Sequence, residues 1–265
     1  MKKRNILLFG TLFLFLLTEC KSQNLFNYPN FFVDKIELMP DLTMTDKKLN
    51  LQDGGGYFCG PVSVANSLIY LQKCGFTNLL PEFQNDTISI YRNLIHRLSE
   101  DKFMKTMTNK ITPHVYMKRG LKRYVREAGY DLEKIEYRAF NKNPNFDIEW
   151  LKEQLSSECE AMIFLWITKN FEQNEKKIVA GHWVSLAGYG KDEMGQINPA
   201  YLILHDPGSG FVYQKNDFVE LKLHSSDFKV DRLNFKNYYE LLDFDCANGA
   251  DNIFLAGAIT FKIKK

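Results

Sequence analysis

Three short segments carry side chains that can perform nucleophilic chemistry together. Cys59 begins the sequence Cys59-Gly60-Pro61, ahead of residues with helical periodicity. His182 begins an apolar segment, and Asp206 follows the end of the next one. A thiolate is a strong nucleophile, an imidazole can take up and return a proton, and a carboxylate can fix the tautomer of that imidazole. These side chains predict a cysteine hydrolase that works through a covalent thioester.

Cys59 is expected at the N-terminus of a helix. Pro61 suits a first helical turn, where its missing N–H is no loss, and the apolar residues that follow recur at spacings of three and four. Gly75 is expected to end this helix. The positive end of a helix dipole favours a thiolate, and its unpaired backbone N–H groups can stabilise an oxyanion.

His182 and Asp206 are expected on neighbouring antiparallel strands. Residues 182–189 and 201–205 are rich in the side chains that favour strands, and Asp206 comes directly after the second segment. His205 is a second candidate for the imidazole. Because side chains alternate along a strand, His205 should face the opposite side from Asp206, so we prefer His182 as the base.

The surrounding elements indicate the fold class. Helices are predicted at about 59–74, 89–99, 112–128 and 147–155, and strands at about 161–167, 182–189, 201–205 and 253–263. Helices followed by a run of strands are typical of the α+β class. We therefore expect a helical lobe packed on an antiparallel β-sheet, with the active-site cleft between them.

The order of the motifs resembles that of the papain-like cysteine peptidases, in particular the bacteriocin-leader-processing (double-glycine) peptidases. The similarity extends over roughly residues 48–262 and rests on Cys-Gly-Pro, then Gly-His-hydrophobic-Val, then Asp-Pro. It implies a papain-like cysteine peptidase fold. It also implies that Cys59 is the nucleophile, that His182 is the general base and then the acid, and that Asp206 orients His182.

The same resemblance implies a glutamine shortly before the cysteine, whose amide helps to bind the oxyanion. Gln52 is the candidate, but it lies seven positions before Cys59, whereas the family usually has six. Asp53 occupies that sixth position. The glycines at 54–56 could absorb the additional residue as a bulge, because glycine tolerates unusual backbone angles.

The N-terminus resembles a bacterial export signal. Basic residues 2–4 precede an apolar run at 6–17, which is too short to span a bilayer comfortably. Cys20 then closes a sequence similar to a lipoprotein lipobox, although Glu19 stands where a small residue is usual. We expect export across the inner membrane. Secretion, an uncleaved anchor, and membrane attachment through a lipidated Cys20 all stay open.

These observations divide the chain into an export signal (1–20), a linker or pro-like segment (21–47) and a papain-like peptidase domain (48–265). The expected function is an exported cysteine hydrolase, a monomeric peptidase that acts on a peptide or protein. Two alternatives stay open. One is an amidase or acyl transferase acting on cell-wall peptide, and the other is a non-catalytic surface lipoprotein that binds a partner in the cleft.

Composition excludes several other classes. The 265 residues are 45% hydrophobic and 25% charged, as in a folded domain, and a net charge of +2 gives no reason to expect nucleic acid. No cofactor or metal is expected, because the glycine turns lack a P-loop lysine and the acidic turn at 243–251 misses the calcium-loop pattern. The sequence does not decide between one disulfide and buried free thiols for Cys74, Cys159 and Cys246.

Overall fold

The computed structural model describes residues 31–80, 86–139, 148–170, 176–208, 218–224, 228–230, 233–235, 237–242, 244 and 249–264. The expected export signal with Cys20, the thiol of Cys246 and most of the acidic turn at 243–251 lie outside these residues. No helix in the described ranges has both the length and the apolar character that a membrane crossing requires.

Within these ranges the chain forms five α-helices and ten β-strands. The helices are α1 (Cys59–Lys73), α2 (Thr87–Ser99), α3 (Thr106–Asn109), α4 (His114–Glu127) and α5 (Ile148–Ser156), and a 3₁₀ turn (Gln52–Gly55) precedes α1. The strands are β1 (Val33–Asp34), β2 (Leu132–Ala139), β3 (Glu160–Asn170), β4 (Lys176–Lys191), β5 (Ile197–His205), β6 (Phe218–His224), β7 (Phe228–Val230), β8 (Leu233–Phe235), β9 (Tyr238–Leu242) and β10 (Asn252–Ile263).

Six antiparallel strands close into a barrel. Their order is β4-β3-β10-β9-β6-β5, and the pairing of β5 with β4 completes the circle. Strand β4 is long enough to pair with β3 along its first part and with β5 along its last part. Two register shifts between β4 and β5, at Leu186/Gly188 and Tyr189/Lys191, bend the sheet. Strands β1 and β2 extend it from β4 and β10.

The closed barrel shows that the expected architecture, a helical lobe packed on an antiparallel sheet with the cleft between them, is wrong. The expectation rested on four strands, which indicate an open sheet. It missed β6 and β9, which carry the sheet from β5 back to β10 and thereby close it. The helices are few, and they pack on a barrel rather than on one face of an open sheet.

Two apolar cores hold the barrel and the helices together. One contains alternating residues from all six barrel strands and the apolar face of α5, including Leu151 and Leu155. The other lies between α1, α2 and α4 and the residues of β3, β4 and β10 that face them, including Trp183 and Phe261. Helix α1 is buried along almost its whole length. The segment that begins with Cys59 is therefore fixed against β4.

The N-terminal arm, which we define as residues 33–44, packs on the barrel. Its first residues form β1 and pair with β4. The Lys35 ammonium is buried and forms an ion pair of 2.6 Å with Glu160 at the start of β3. Met39 packs against Ala187 and Ile203. This arm falls within the segment for which the sequence predicts a linker or a pro-like extension.

Candidate active site

Cys59 is the first residue of α1, as the sequence predicts. Phe58 is the N-cap residue, and Pro61 lies in the first turn. The helix ends just before Gly75, whose φ of 104° is the left-handed conformation expected of a C-terminal glycine. The Cys59 thiol is free and partly exposed. A nucleophilic side chain therefore lies at the positive end of a helix of 15 residues.

Strands β4 and β5 bring His182 and Asp206 together. The pairing of Ser185 with His205 places Asp206, the next residue, near His182. The Nε2 atom of His182 lies 2.5 Å from Oδ1 of Asp206, and the two side chains are 8% and 4% exposed. The Gly208 N–H donates a second hydrogen bond, of 2.8 Å, to the same oxygen. Since Nε2 faces the carboxylate, Nδ1 is the ring nitrogen left to face a thiol.

The Cys59 thiol and the His182 imidazole are hydrogen-bonded, and each shifts the pKa of the other. Burial raises the pKa of Cys59, but the hydrogen bond and charge of His182, with the backbone N–H groups of Trp183 and Gly60, hold it below its ordinary value. Burial also opposes protonation of His182, but the charge and hydrogen bond of Asp206, aided by Cys59, raise its pKa well above 6.5. These shifts favour a thiolate–imidazolium pair.

A buried line of polar contacts joins α1 to β4. Ser63 Oγ donates to the Trp183 carbonyl at 3.1 Å, and Asn66 Nδ2 donates to Ser185 Oγ at 3.0 Å. Ser185 Oγ in turn donates to the Ser63 carbonyl at 3.2 Å. Because Cys59 begins α1 and β4 carries His182, these bonds fix the thiol relative to the imidazole.

Thr112 braces the first turn of α1. A Cβ atom on Gly60 would lie only 2.6 Å from Cβ of Thr112, so position 60 must be glycine for this close approach. The Thr112 carbonyl accepts a hydrogen bond of 2.8 Å from Nε1 of Trp183, the residue after the imidazole. Thr112 therefore contacts both the helix that begins with Cys59 and the strand that carries His182.

Gln52 is not joined to these three side chains. It begins the 3₁₀ turn, and its side chain is exposed. The irregular turn that the sequence predicts is present, since Asp53, Gly54 and Gly55 have φ values of 51°, 65° and 82°. The Asp53 carboxylate accepts hydrogen bonds from Lys110 and from Tyr57, each of 2.8 Å. The role predicted for Gln52 stays a prediction.

His205, the competing imidazole, faces away from Asp206. Its Nδ1 lies 3.1 Å from the carbonyl oxygen of Pro40 in the N-terminal arm. This is the orientation expected from the alternation of side chains along β5. His205 thus contacts the arm, whereas His182 contacts Cys59.

The residues that support the site carry little signal in the sequence. Ser63 and Asn66 are three positions apart in a helix that is otherwise largely apolar, and this pattern was the available signal, because polar side chains buried in a helix require partners. Nothing in the local sequence points to the contacts of Thr112 or Gly208.

Among the residues that the structure describes, no group of three or more His, Cys, Asp or Glu side chains is placed to hold a metal ion.

Comparisons with known proteins do not assign a family. No protein-family model matches the chain, and no curated protein gives a significant match. Among solved structures the chain is similar to the Pseudomonas avirulence protein AvrPphB, with 10% sequence identity and a TM-score of 0.31 over 82% of this chain and 95% of that one. Similarity at this level does not show shared ancestry or function, and the double-glycine peptidase family is not shown.

Proposed function

We propose that this protein is a cysteine hydrolase, most simply a peptidase, with Cys59 as the nucleophile, His182 as the base and acid, and Asp206 as the orienting acid. One observation carries the proposal. A partly exposed thiol at a helix N-terminus is hydrogen-bonded to an imidazole that is itself held by a buried carboxylate. This combination activates a thiol and orients its base.

The proposed reaction has two half-reactions. The Cys59 thiolate attacks the carbonyl carbon of the scissile bond and forms a tetrahedral oxyanion. The backbone N–H of Cys59, at the N-terminus of α1, is a proposed donor to that oxyanion. The His182 imidazolium then gives its proton to the leaving amine, and the C–N bond breaks. The imidazole next takes a proton from water, which attacks the thioester, releases the acid and restores the thiol.

Asp206 supports this cycle in both protonation states of His182. As an acceptor at Nε2 it keeps Nδ1 directed at the thiol. As a buried negative charge it stabilises the imidazolium that forms when Cys59 is ionised. The Gly208 N–H holds the carboxylate in place.

Gln52 is a proposed second oxyanion donor. An amide that donates only in the tetrahedral state contributes about a hundredfold to a thousandfold in kcat. Gln52→Ala should lower kcat by that factor if the exposed side chain turns toward the substrate. Unchanged kcat in this variant would leave the backbone N–H as the donor and remove Gln52 from the site.

The proposal also includes a class of substrate and a cellular location. An acyl bond in a peptide or protein is the proposed substrate, and the protein is proposed to act as a monomer outside the inner membrane, secreted or attached through a lipidated Cys20. The resemblance of residues 1–20 to an export signal motivates this proposed location. Fractionation of cells, with metabolic labelling by a fatty-acid analogue in wild type and Cys20→Ala, tests it. Unlabelled protein in the cytoplasm would contradict it.

The decisive test is the pH dependence of alkylation by iodoacetamide, followed by mass spectrometry at each cysteine. Cys59 should react with an apparent pKa below the ordinary value of about 8.5 for a thiol. Burial raises the pKa of Cys159, so this thiol is an internal control that should react slowly at neutral pH. His182→Ala should remove the difference between the two. Equal behaviour of Cys59 and Cys159 in the wild-type protein would contradict the proposed function.

A further inference from the structure

The N-terminal arm touches both halves of the candidate site through one residue, Met44. Its N–H donates a hydrogen bond of 2.8 Å to the carbonyl of Pro207, the residue after the orienting acid Asp206. Its own carbonyl oxygen lies against Gly55 in the turn that leads to Cys59, where a Cβ atom would be only 1.9 Å from that oxygen. A single peptide segment thus links the acid's loop to the nucleophile's turn.

The arm is anchored along its whole length, so Met44 has a fixed position. The Lys35 N–H donates to the Ala187 carbonyl at 2.9 Å, and its ammonium group is held by Glu160. Further along, the Pro40 carbonyl contacts Nδ1 of His205. These contacts lie on β3, β4 and β5, which are the strands that carry or flank the imidazole.

A further contact fixes the arm to the nucleophile's helix. The Leu42 N–H donates to Oδ1 of Asn66 at 3.3 Å, and the amide nitrogen of the same Asn66 donates to Ser185 on β4. The arm is therefore bonded to the polar contacts that hold α1 against β4, two residues before it reaches the acid's loop.

We propose that Met44 is a positioning residue, through which the arm sets the separation between the loop of Asp206 and the turn before Cys59. This inference rests on the proposed function, because it assigns a role in the geometry of the same three side chains. The Asp206 loop must stay within hydrogen-bond distance of His182 while the turn keeps Cys59 on the other side of the ring.

The expected size of the effect follows from the geometry of catalysis. A misplacement of about 1 Å in a catalytic group can cost about a hundredfold in rate. Displacing Met44 should move the acid's loop or the nucleophile's turn, loosen the imidazole and reduce its ability to stabilise the thiolate. The arm is then a permanent part of the site rather than a segment whose removal activates it.

Two neighbouring glycines provide a matched test. Gly54 and Gly55 both have positive φ, so an alanine strains the backbone at either position. Nothing lies within 4 Å of a Cβ atom at Gly54, whereas a Cβ atom at Gly55 would collide with Met44. Gly55→Ala should lower kcat about a hundredfold relative to Gly54→Ala, with little change in KM, and should move the apparent pKa of Cys59 alkylation toward the ordinary thiol value.

A second pair covers the case in which Gly55→Ala does not fold. Met44→Pro removes the N–H that binds Pro207, and Met44→Ala shortens the side chain but keeps that N–H. Met44→Pro should show the loss of kcat and the shifted alkylation profile, and Met44→Ala should not. Circular dichroism and thermal unfolding identify which variants are folded.

The outcomes separate the two proposals. If wild-type Cys59 alkylates like an ordinary thiol, the proposed function fails. If the wild type shows the low apparent pKa and the folded members of each pair behave alike, the proposed function stands and the role of Met44 is overturned.

Discussion

Gly208 lies directly against the imidazole of His182. A Cβ atom at position 208 would be 3.0 Å from Nε2 of His182 and 3.2 Å from Oδ1 of Asp206. The backbone N–H of the same glycine donates to that carboxylate oxygen. The absence of a side chain therefore allows the loop to bind the acid and to remain in contact with the ring.

Gly208→Ala should impair the site without straining the backbone. The added methyl group needs a few tenths of an ångström more room, which only a shift of the ring or of the carboxylate can give. We expect about a tenfold loss of kcat and slower alkylation of Cys59 at pH 6. Gly56→Ala is the matched control, because its nearest neighbour is an oxygen 3.8 Å from the Cβ position. Equal activity of the two variants would show that the loop of Gly208 can shift to make room for the methyl group without disturbing His182 or Asp206.

Asp206→Asn should lower the reactivity of Cys59 at low pH. The substitution keeps the shape of the side chain but removes the charge that raises the pKa of His182, so the imidazolium no longer stabilises the thiolate. Alkylation at pH 6 should therefore fall, by about tenfold for each unit by which the apparent pKa of Cys59 rises. Glu240→Gln removes a carboxylate from the separate His224–Glu240 contact and should leave Cys59 unchanged.

Asp206→Asn should also change how the free energy of unfolding depends on pH. Because the pKa of folded His182 is raised, the stabilisation from its contact with Asp206 is complete below the ordinary His pKa of 6.5 and is lost as the pH rises through the raised pKa. The difference in the free energy of unfolding between wild type and Asp206→Asn should therefore shrink with increasing pH across that window. Urea unfolding at several pH values measures it, and a difference that grows with pH would contradict the assignment.

Trp183→Phe should destabilise the junction between the helices and the barrel. The variant leaves the Thr112 carbonyl without the indole N–H that it accepts at 2.8 Å. Leaving a buried acceptor without its donor costs about 1–3 kcal/mol in the free energy of unfolding. Trp166→Phe is the control, since Trp166 contributes ring contacts to the same sheet. A loss no larger than that of Trp166→Phe would mean that Thr112 finds another donor.

Lys35→Met should be more damaging than the loss of an exposed ion pair. It leaves the buried Glu160 carboxylate, whose pKa is already raised by burial, without its counter-charge. Breaking a buried pair on one side costs about 3–5 kcal/mol, and the double variant Lys35→Met/Glu160→Met should recover most of this.

The dependence of this loss on pH has a definite sign. Without Lys35, Glu160 must bind a proton to remain buried, so the loss of stability should increase as the pH rises. Lys191→Met removes the partly exposed pair with Asp34 and should cost no more than about 1 kcal/mol at any pH. If Lys35→Met and Lys191→Met lowered the free energy of unfolding equally, water would have access to the Glu160 carboxylate.

The elements that carry Cys59, His182 and Asp206 could be predicted from the sequence, because local patterns specify them. Helix α1 was predicted from its apolar spacing and its terminal glycine, and β4 and β5 from their apolar runs. Strand β6 alternates apolar and charged residues at Val219, Glu220 and Leu221, so this strand could also have been predicted from the sequence. Its pairing with β9, and hence the closure of the barrel, depends on contacts between distant residues that no local pattern encodes.

The residues of the candidate site were likewise predictable only in part. The order of Cys59, His182 and Asp206 indicated a common site, and the pairing of β4 with β5 accounts for the contact between the last two. The supporting contacts of Thr112 and Met44 arise only when loops pack, so spacing along the chain gave no sign of them. Gln52 was inferred from a resemblance alone, and the irregular turn leaves its side chain exposed.

Strand β10 is the last strand of the described residues and lies in the middle of the sheet, between β3 on one side and β2 and β9 on the other. During synthesis the nucleophile's helix emerges long before this strand, while the barrel is still open and β3 lacks one of its neighbours. Contacts between such distant segments form late in folding. The barrel that contains β4, the strand of His182, is therefore expected to close only after β10 has been synthesised.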